Sequence, residues 1–288
     1  MGAVQQRILG WYAAGGRDLP WRHTRDPYRI LVAEIMLQQT QVDRVLPKYE
    51  QWLAAFPDLR SLAEAPTAEA IRLWAPLGYN SRAVRLQSIA RQCIERHGGS
   101  MPRTLDELRQ LKGVGRYTAG AIACFAYEQQ VTFWDTNVRR VLARVFRSGA
   151  ELPEAAMEAL AAEVLPAAQA YAWHQALMDL GATVCTSRNP RCDRCPVMDD
   201  CSAHPAVLFG PRVIAERKAR SDAGPFETTN RYFRGRVVDA LRERSPRSLS
   251  DLAQVLQRDE PDWLAKLAAG LERDGLIARD GDLLRLPD

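Results

Sequence analysis

The sequence predicts an all-α protein carrying a small α+β module at its C-terminal end. Three observations carry that prediction. Apolar residues recur at helical spacing in segment after segment, separated by short breaks such as Pro57, Pro66 and Gly78. Period-two alternation is almost absent until the run from Gly275 to Leu286, which alternates around Asp280-Gly281 as a hairpin does. The chain's 288 residues, 47% hydrophobic and 26% charged, have the composition of an ordinary globular protein with room for more than one domain.

Taken in order, Ile8–Ala14 reads as a short amphipathic helix stopped by Gly15-Gly16, followed by a rigid turn, Leu19-Pro20-Trp21-Arg22. Helical periodicity then runs from Tyr28 to Tyr49 with a polar interruption inside Glu34-Ile-Met-Leu-Gln-Gln-Thr-Gln41. Further helices are expected at Val45–Phe56, Leu59–Glu64, Ala68–Leu73 and Ser81–His97. Beyond Asp135 they continue at Asn137–Phe146, Glu154–Leu165 and Ala170–Leu180. Residues 202–227 turn rich in Pro, Gly and scattered charge, the signature of a linker. From Thr228, the segments Val237–Arg242, Leu249–Leu256 and Trp263–Asp274 read as three helices ahead of the terminal hairpin, a winged-helix-like unit. That unit holds eleven Lys/Arg and eleven Asp/Glu and is formally neutral, so packing or protein contact is as natural a role for it as reading DNA.

The formal net charge of +4 and a pI near 8.8 form a mild basic bias that suits a polyanionic partner. No apolar run of about eighteen residues offers a membrane span. The N-terminal residues lack the apolar core of a signal peptide, so a cytoplasmic location with reduced thiols is expected.

Leu111-Lys-Gly-Val-Gly-Arg-Tyr117 reads as a hairpin between two helices. Lys112, Gly113, Val114 and Gly115 form a turn that leaves the N–H groups of the next helix pointing outward, a place for a DNA phosphate. The segment ends on a lone carboxylate, Asp135, among apolar neighbours. Further on, Cys185, Cys192, Cys195 and Cys201 follow the spacing C-x6-C-x2-C-x5-C. One tight pair with two outlying cysteines matches four-cysteine iron–sulfur ligation better than the paired knuckles of zinc sites. Cys93 and Cys124 sit in apolar helical patterns and are expected in the core.

Hairpin, downstream aspartate and cysteine loop, in this order, resemble the helix-hairpin-helix DNA glycosylase superfamily with its [4Fe–4S] loop. Glu34–Gln41, Leu77-Gly-Tyr-Asn-Ser-Arg-Ala83 and Asp135-Thr-Asn-Val-Arg-Arg-Val141 resemble the MutY-type adenine glycosylases within it. The resemblance covers residues 5 to about 201. It implies a two-lobed helical body, with residues 1–24 and 135–201 forming the cluster lobe and residues 25–134 a six-helix lobe. It also implies DNA in the cleft between the lobes, a [4Fe–4S] cluster on the four cysteines, and a monomer acting on double-stranded DNA that carries a mispaired or damaged base.

The same resemblance distributes roles. Bifunctional members carry a lysine at the position of Tyr117, where its amine forms a Schiff base; tyrosine there implies a monofunctional glycosylase whose hydroxyl bonds the catalytic aspartate. Glu34, within an apolar helix, is expected to stay protonated and to donate to the purine. Asp135 is expected to stabilise the sugar cation, with Asn137 hydrogen-bonding at the same site. Gln39 and Tyr79 are expected to fill the hole left by the flipped base, and Arg22, Gln175 and Met178 to line the base pocket. His174 is expected on the helix surface or as a cap. No counterpart of the Nudix-like C-terminal domain of long MutY proteins is expected; the linker and winged-helix-like module are expected in its place.

Adenine opposite 8-oxoguanine or guanine is thus the expected target. Thymine or uracil opposite guanine, or hypoxanthine, is the alternative, because thymine-specific relatives also carry a tyrosine at the Tyr117 position. A non-catalytic iron–sulfur DNA-binding regulator is a third reading, opposed by the presence of both acids.

Overall fold

A computed structural model describes residues 2–204 and 225–288, so most of the expected linker lies outside the described residues. In chain order the helices are α1 (Gly2–Gly15), α2 (Pro27–Leu37), α3 (Val42–Ala55), α4 (Leu59–Glu64), α5 (Thr67–Trp74), α6 (Ser81–Arg96), α7 (Leu105–Gln110) and α8 (Arg116–Phe125). They continue as α9 (Thr136–Phe146), α10 (Glu154–Glu163), α11 (Ala170–Thr183), α12 (Asn230–Glu243), α13 (Leu249–Leu256) and α14 (Pro261–Arg273). The strands among the described residues are β1 (Arg247–Ser248), β2 (Ala278–Asp280) and β3 (Leu283–Arg285). The fold is all-α with a small α+β C-terminal module. No described helix is long and apolar enough to cross a membrane.

The chain divides into two compact units. The first takes Met1–Ile30, Arg103–Gln110 and the described residues of Val114–Arg217; the second takes Leu31–Pro102, Leu111–Gly113 and the described residues of Lys218–Asp288. These boundaries differ from those expected at residues 24/25 and 134/135, because the hairpin helices α7 and α8 cluster with the cysteine-bearing unit. The C-terminal module likewise clusters with Leu31–Pro102 instead of standing alone.

In the first unit Val4 and Ile8 of α1 pack with Val138, Val141 and Val145 of α9 and with Leu177 and Leu180 of α11. Cys185, Cys195 and Cys201 pack against the same core. In the second unit the indole of Trp52 meets Phe56 and Trp74 edge-on, at 5.0 and 5.4 Å, and all three are buried. Burying each such large side chain contributes about 1.5–3 kcal/mol relative to leaving it in water.

The polar interruption expected after Glu34 is a real break. Helix α2 ends at Leu37, Gln39 takes a left-handed φ of 57°, and α3 starts from Gln41 in extended conformation. Helix α12 begins well before Val237, at Asn230, with the Thr229 hydroxyl accepting from the Tyr232 N–H. Its first turns carry Arg231, Arg234, Gly235 and Arg236, so apolar periodicity does not reveal them. The terminal hairpin pairs β2 with β3 as expected, with Gly281 at φ 57° in the turn, and the unforeseen β1 pairs with the far edge of β3, giving the order β1-β3-β2.

Candidate active site

In the first unit, Asp135 is the N-cap of α9. Its Oδ1 accepts from the Val138 N–H at 2.7 Å and its Oδ2 from Asn137 Nδ2 at 2.9 Å. Two donors at the start of an eleven-residue helix hold both carboxylate oxygens in place. The Oδ1 of Asn137 accepts in turn from Arg140 Nη2 at 2.8 Å. Arg140 is anchored by the carbonyls of Gly181 (2.7 Å) and Cys185 (2.8 Å). Glycine at 181 lets α11 come this close, since a Cβ there would lie 2.8 Å from that of Asn137. Arg140 thus ties the aspartate to the first cysteine of the cysteine loop. Its place in the Asp135–Val141 motif is visible in sequence, but the two carbonyls that anchor it are more than forty residues away.

Tyr117, on the first turn of α8, packs edge-to-face on Phe133 at 5.7 Å. Phe133 stacks on His174 with ring centroids 3.9 Å apart. His174 therefore does not lie on the helix surface and caps nothing: it is 2% exposed, and its Nε2 meets the carbonyl of Val131 at 3.0 Å. Burial pushes its pKa down to about 4, outweighing that hydrogen bond, so the ring is neutral at physiological pH. The sequence misled because one histidine in an apolar helix carries no mark of which face it occupies.

Gln175, Met178 and Asp179 lie within one turn of α11. Arg22 reaches this face through Asp179: its Nη1 and Nη2 donate to the two carboxylate oxygens at 2.9 and 2.7 Å, while the Arg17 Nε and backbone N–H donate at 2.7 and 2.9 Å. Burial alone would raise the Asp179 pKa, but the Arg22 and Arg17 hydrogen bonds and charges prevail and hold it below the usual carboxylate range. Asp179 is 1% exposed, and sequence reasoning missed it. A lone aspartate in an apolar helical run is its only signal.

Cys185, Cys192, Cys195 and Cys201 line one cavity with Val145, Leu180, Val184 and Met198. Among the described residues no three Cys, His, Asp or Glu side chains are grouped to hold a single metal ion. Four thiols lining a shared cavity fit four-cysteine iron–sulfur ligation. A bound cluster would close this loop through four sulfur–iron bonds. Cys93 and Cys124 are core residues as expected, their thiols pushed up by burial to about 11 and about 12.

In the hairpin turn between α7 and α8, Gly113 has a φ of 102° that favours glycine, and a Cβ there would press on the Arg85 side chain at 2.8 Å. Gln92 clamps the turn, donating to the Lys112 carbonyl (3.1 Å) and accepting from the Lys112 N–H (2.8 Å). Val114 is buried. Gly115 is the N-cap of α8, gives no side-chain cap, and has open space where a Cβ would stand. The start of α8 carries the partial positive charge of a helix N-terminus.

In the second unit, Glu34 is only 6% exposed because α2 buries Ile30, Leu31, Val32, Ala33, Ile35 and Met36 on nearly every side. Gln39 and Tyr79 are both exposed non-glycine residues in left-handed conformation, at φ 57° and 47°. Such backbone strain is maintained only where the surroundings impose it. Here the imposing group is Arg82, 3% exposed. Its guanidinium donates to the carbonyls of Ile35, Met36 and Gln38 on one side and of Leu77 and Gly78 on the other, at 2.5–3.2 Å. One buried cation thus holds together the loop that follows Glu34 and the loop that carries Tyr79. Burial, then the charges of Arg85 and Arg44, lower its pKa to about 10, which keeps it charged at neutral pH.

Residues 32–166 match the family described as HhH-GPD superfamily base excision DNA repair protein, and residues 185–201 match the iron-sulfur binding domain of endonuclease III. The chain is 38% identical over 278 residues to a protein of Mycolicibacterium smegmatis named adenine DNA glycosylase, covering 96% of this chain and 92% of that one. A Mycobacterium tuberculosis protein of the same name is 39% identical over 96% of this chain and 90% of its own length. The human protein of that name is 45% identical over 71% of this chain, which spans 40% of the human length. Among solved structures, a thermostable thymine-DNA glycosylase superposes with a TM-score of 0.67 at 32% identity, over 70% of this chain and 95% of that one. An endonuclease III–DNA complex at 22% identity, TM-score 0.62, covers 72% and 96% and shares the fold.

Proposed function

The chain belongs to the adenine DNA glycosylase family of the helix-hairpin-helix superfamily and carries its [4Fe–4S] loop, and from that premise we propose that it excises adenine mispaired with 8-oxoguanine or guanine, leaving the strand intact. It acts on DNA as a base excision repair glycosylase that hydrolyses N-glycosyl bonds. The carrying observation for the chemistry is the Asp135 carboxylate, which accepts from Val138 N–H and Asn137 Nδ2 and is therefore fixed in position. A carboxylate so held stabilises positive charge developing on the deoxyribose as the glycosidic bond breaks. Tyr117 has no amine to attack the sugar carbon, so the reaction ends with water at that carbon and an abasic site in an unbroken strand.

Glu34 is the general acid of this reading. It is buried in α2, and in this role its carboxyl donates a proton to the five-membered ring of the purine so that the base leaves neutral. Gln39 and Tyr79 enter the duplex, Lys112–Gly115 and the start of α8 hold a phosphate, and Arg22, Gln175 and Met178 line the base pocket. Cys185, Cys192, Cys195 and Cys201 ligate the cluster, and the enzyme acts as a monomer.

Single-turnover base release on duplexes bearing A:8-oxoG, A:G, T:G, U:G and hypoxanthine:T tests the reading. Release of adenine from the first two pairs is expected, and its absence would overturn the substrate. The T:G arm matters because the thymine-DNA glycosylase above shares this fold at 32% identity. Glu34→Gln should abolish release while leaving duplex binding nearly intact.

A further inference from the structure

The C-terminal module is built onto the Tyr79 loop. Ile71 of α5 belongs to the module's own core, packed with Val237, Val238 and Leu241 of α12, and Ala68 and Val84 pack against that core. The Ala68 N–H donates to the carbonyl of Pro287 at 2.7 Å. Arg242, near the end of α12, donates from Nε and Nη2 to the Ile71 carbonyl at 3.1 and 2.9 Å, and from Nη2 to Oδ1 of Asn80 at 2.7 Å. Asn80 is the N-cap of α6, and asparagine is among the best residues for bonding the first N–H groups of a helix. It makes no such bond here: its backbone is helical, at φ −55° and ψ −25°, and its side-chain oxygen accepts from Arg242. The residue beside Tyr79 is thus oriented by the module.

At the other end of α12, exposed Arg231 lies with its guanidinium 4.1 Å from the centroid of the Tyr79 ring, which is itself 41% exposed. Two other arginines of α12 have carboxylate partners, Arg234 with Asp274 and Arg242 with Asp239. No ion pair joins Arg231 to a carboxylate among the described residues. A guanidinium on an aromatic face keeps its N–H edge free for a second, planar acceptor.

We propose that Arg231 is a DNA contact supplied by the C-terminal module, its N–H edge donating to oxygen or nitrogen acceptors of the nucleotides next to the inserted Tyr79 ring. The proposal rests on the reading of Tyr79 as the residue that enters the duplex. The acceptor is a backbone phosphate or the edge of the base opposite the target, and the two differ in salt dependence.

The test uses the full cluster-loaded chain and duplexes carrying a tetrahydrofuran abasic-site analogue opposite guanine, 8-oxoguanine or cytosine, titrated at several salt concentrations. Arg231→Gln is expected to weaken binding about tenfold. A fall of about one in the slope of log affinity against log salt assigns a phosphate. An unchanged slope with reduced discrimination among the three opposite bases assigns a base edge. Arg231→Lys should restore the slope in the first case and not the discrimination in the second. Tyr79→Ala is measured beside them. If it weakens binding while Arg231→Gln changes neither affinity nor discrimination, the proposal is overturned and the Tyr79 reading stands. If neither variant has an effect, both fall. If Arg231→Gln alone has an effect, the DNA contact stands and the Tyr79 reading falls.

Discussion

The Nε of Arg140 donates to the carbonyl oxygen of Cys185 at 2.8 Å, so the residue that orients Asn137 is held by the first cysteine of the cluster loop. Anything that displaces Cys185 is therefore transmitted through one guanidinium and one amide to the Asp135 carboxylate. Arg140→Gln is expected to lower single-turnover base release by about ten- to a hundredfold, the usual cost of losing a group that orients a reacting one. Duplex affinity should change far less, because Arg140 acts behind Asp135. Arg140→Lys keeps the charge but lacks the fork, and should recover only a minor part of the rate.

Asp135→Asn separates charge from structure. Asparagine caps a helix about as well as aspartate, so thermal stability should fall by only a few tenths of a kcal/mol. The neutral amide offers no anion to the sugar cation, and base release should drop by about 10³-fold. A variant that keeps wild-type turnover would remove Asp135 from the chemistry.

Asp179→Ala leaves Arg22, whose side chain is 7% exposed, without its carboxylate. Breaking a buried pair from one side costs about 3–5 kcal/mol, and denaturant unfolding should show a loss of that order. Because its folded pKa is depressed, the intact Asp179 contributes stability fully above its unfolded value near 4, and that contribution is lost as pH falls below it.

His174 shifts in the opposite sense from a histidine that gains an acidic partner. Its pKa of about 4 in the folded chain lies below the ordinary value, so the unfolded chain takes up the proton first as pH falls. Stability should decline by roughly 3 kcal/mol between pH 6.5 and 4 through this group, at about 1.4 kcal/mol per pKa unit. His174→Gln should flatten that part of the stability–pH curve measured by chemical denaturation, at the expense of the Phe133 stack.

What the sequence determined by itself is local. Helix periodicity, the Gly113–Gly115 turn, the four cysteines and the apolar run around Glu34 are each written within a few turns of chain, and each is found in the structure. The break at Gln38–Gln41 and the hairpin at Asp280-Gly281 are legible for the same reason, since backbone preference acts over a few residues. The tertiary structure decided which distant groups those elements serve. Arg82 holds two loops about forty residues apart in sequence, Asp179 gathers two arginines more than 150 residues upstream, and Arg242, 162 residues on, binds the side-chain oxygen of Asn80. Arginine suits a solvated surface as well as a buried fork, and an aspartate in a helix is ordinarily exposed, so residue type alone cannot distinguish these cases. The difference comes from burial. Once packing removes water from a charged group, it is stable only where other parts of the chain have delivered enough donors or acceptors to replace that water.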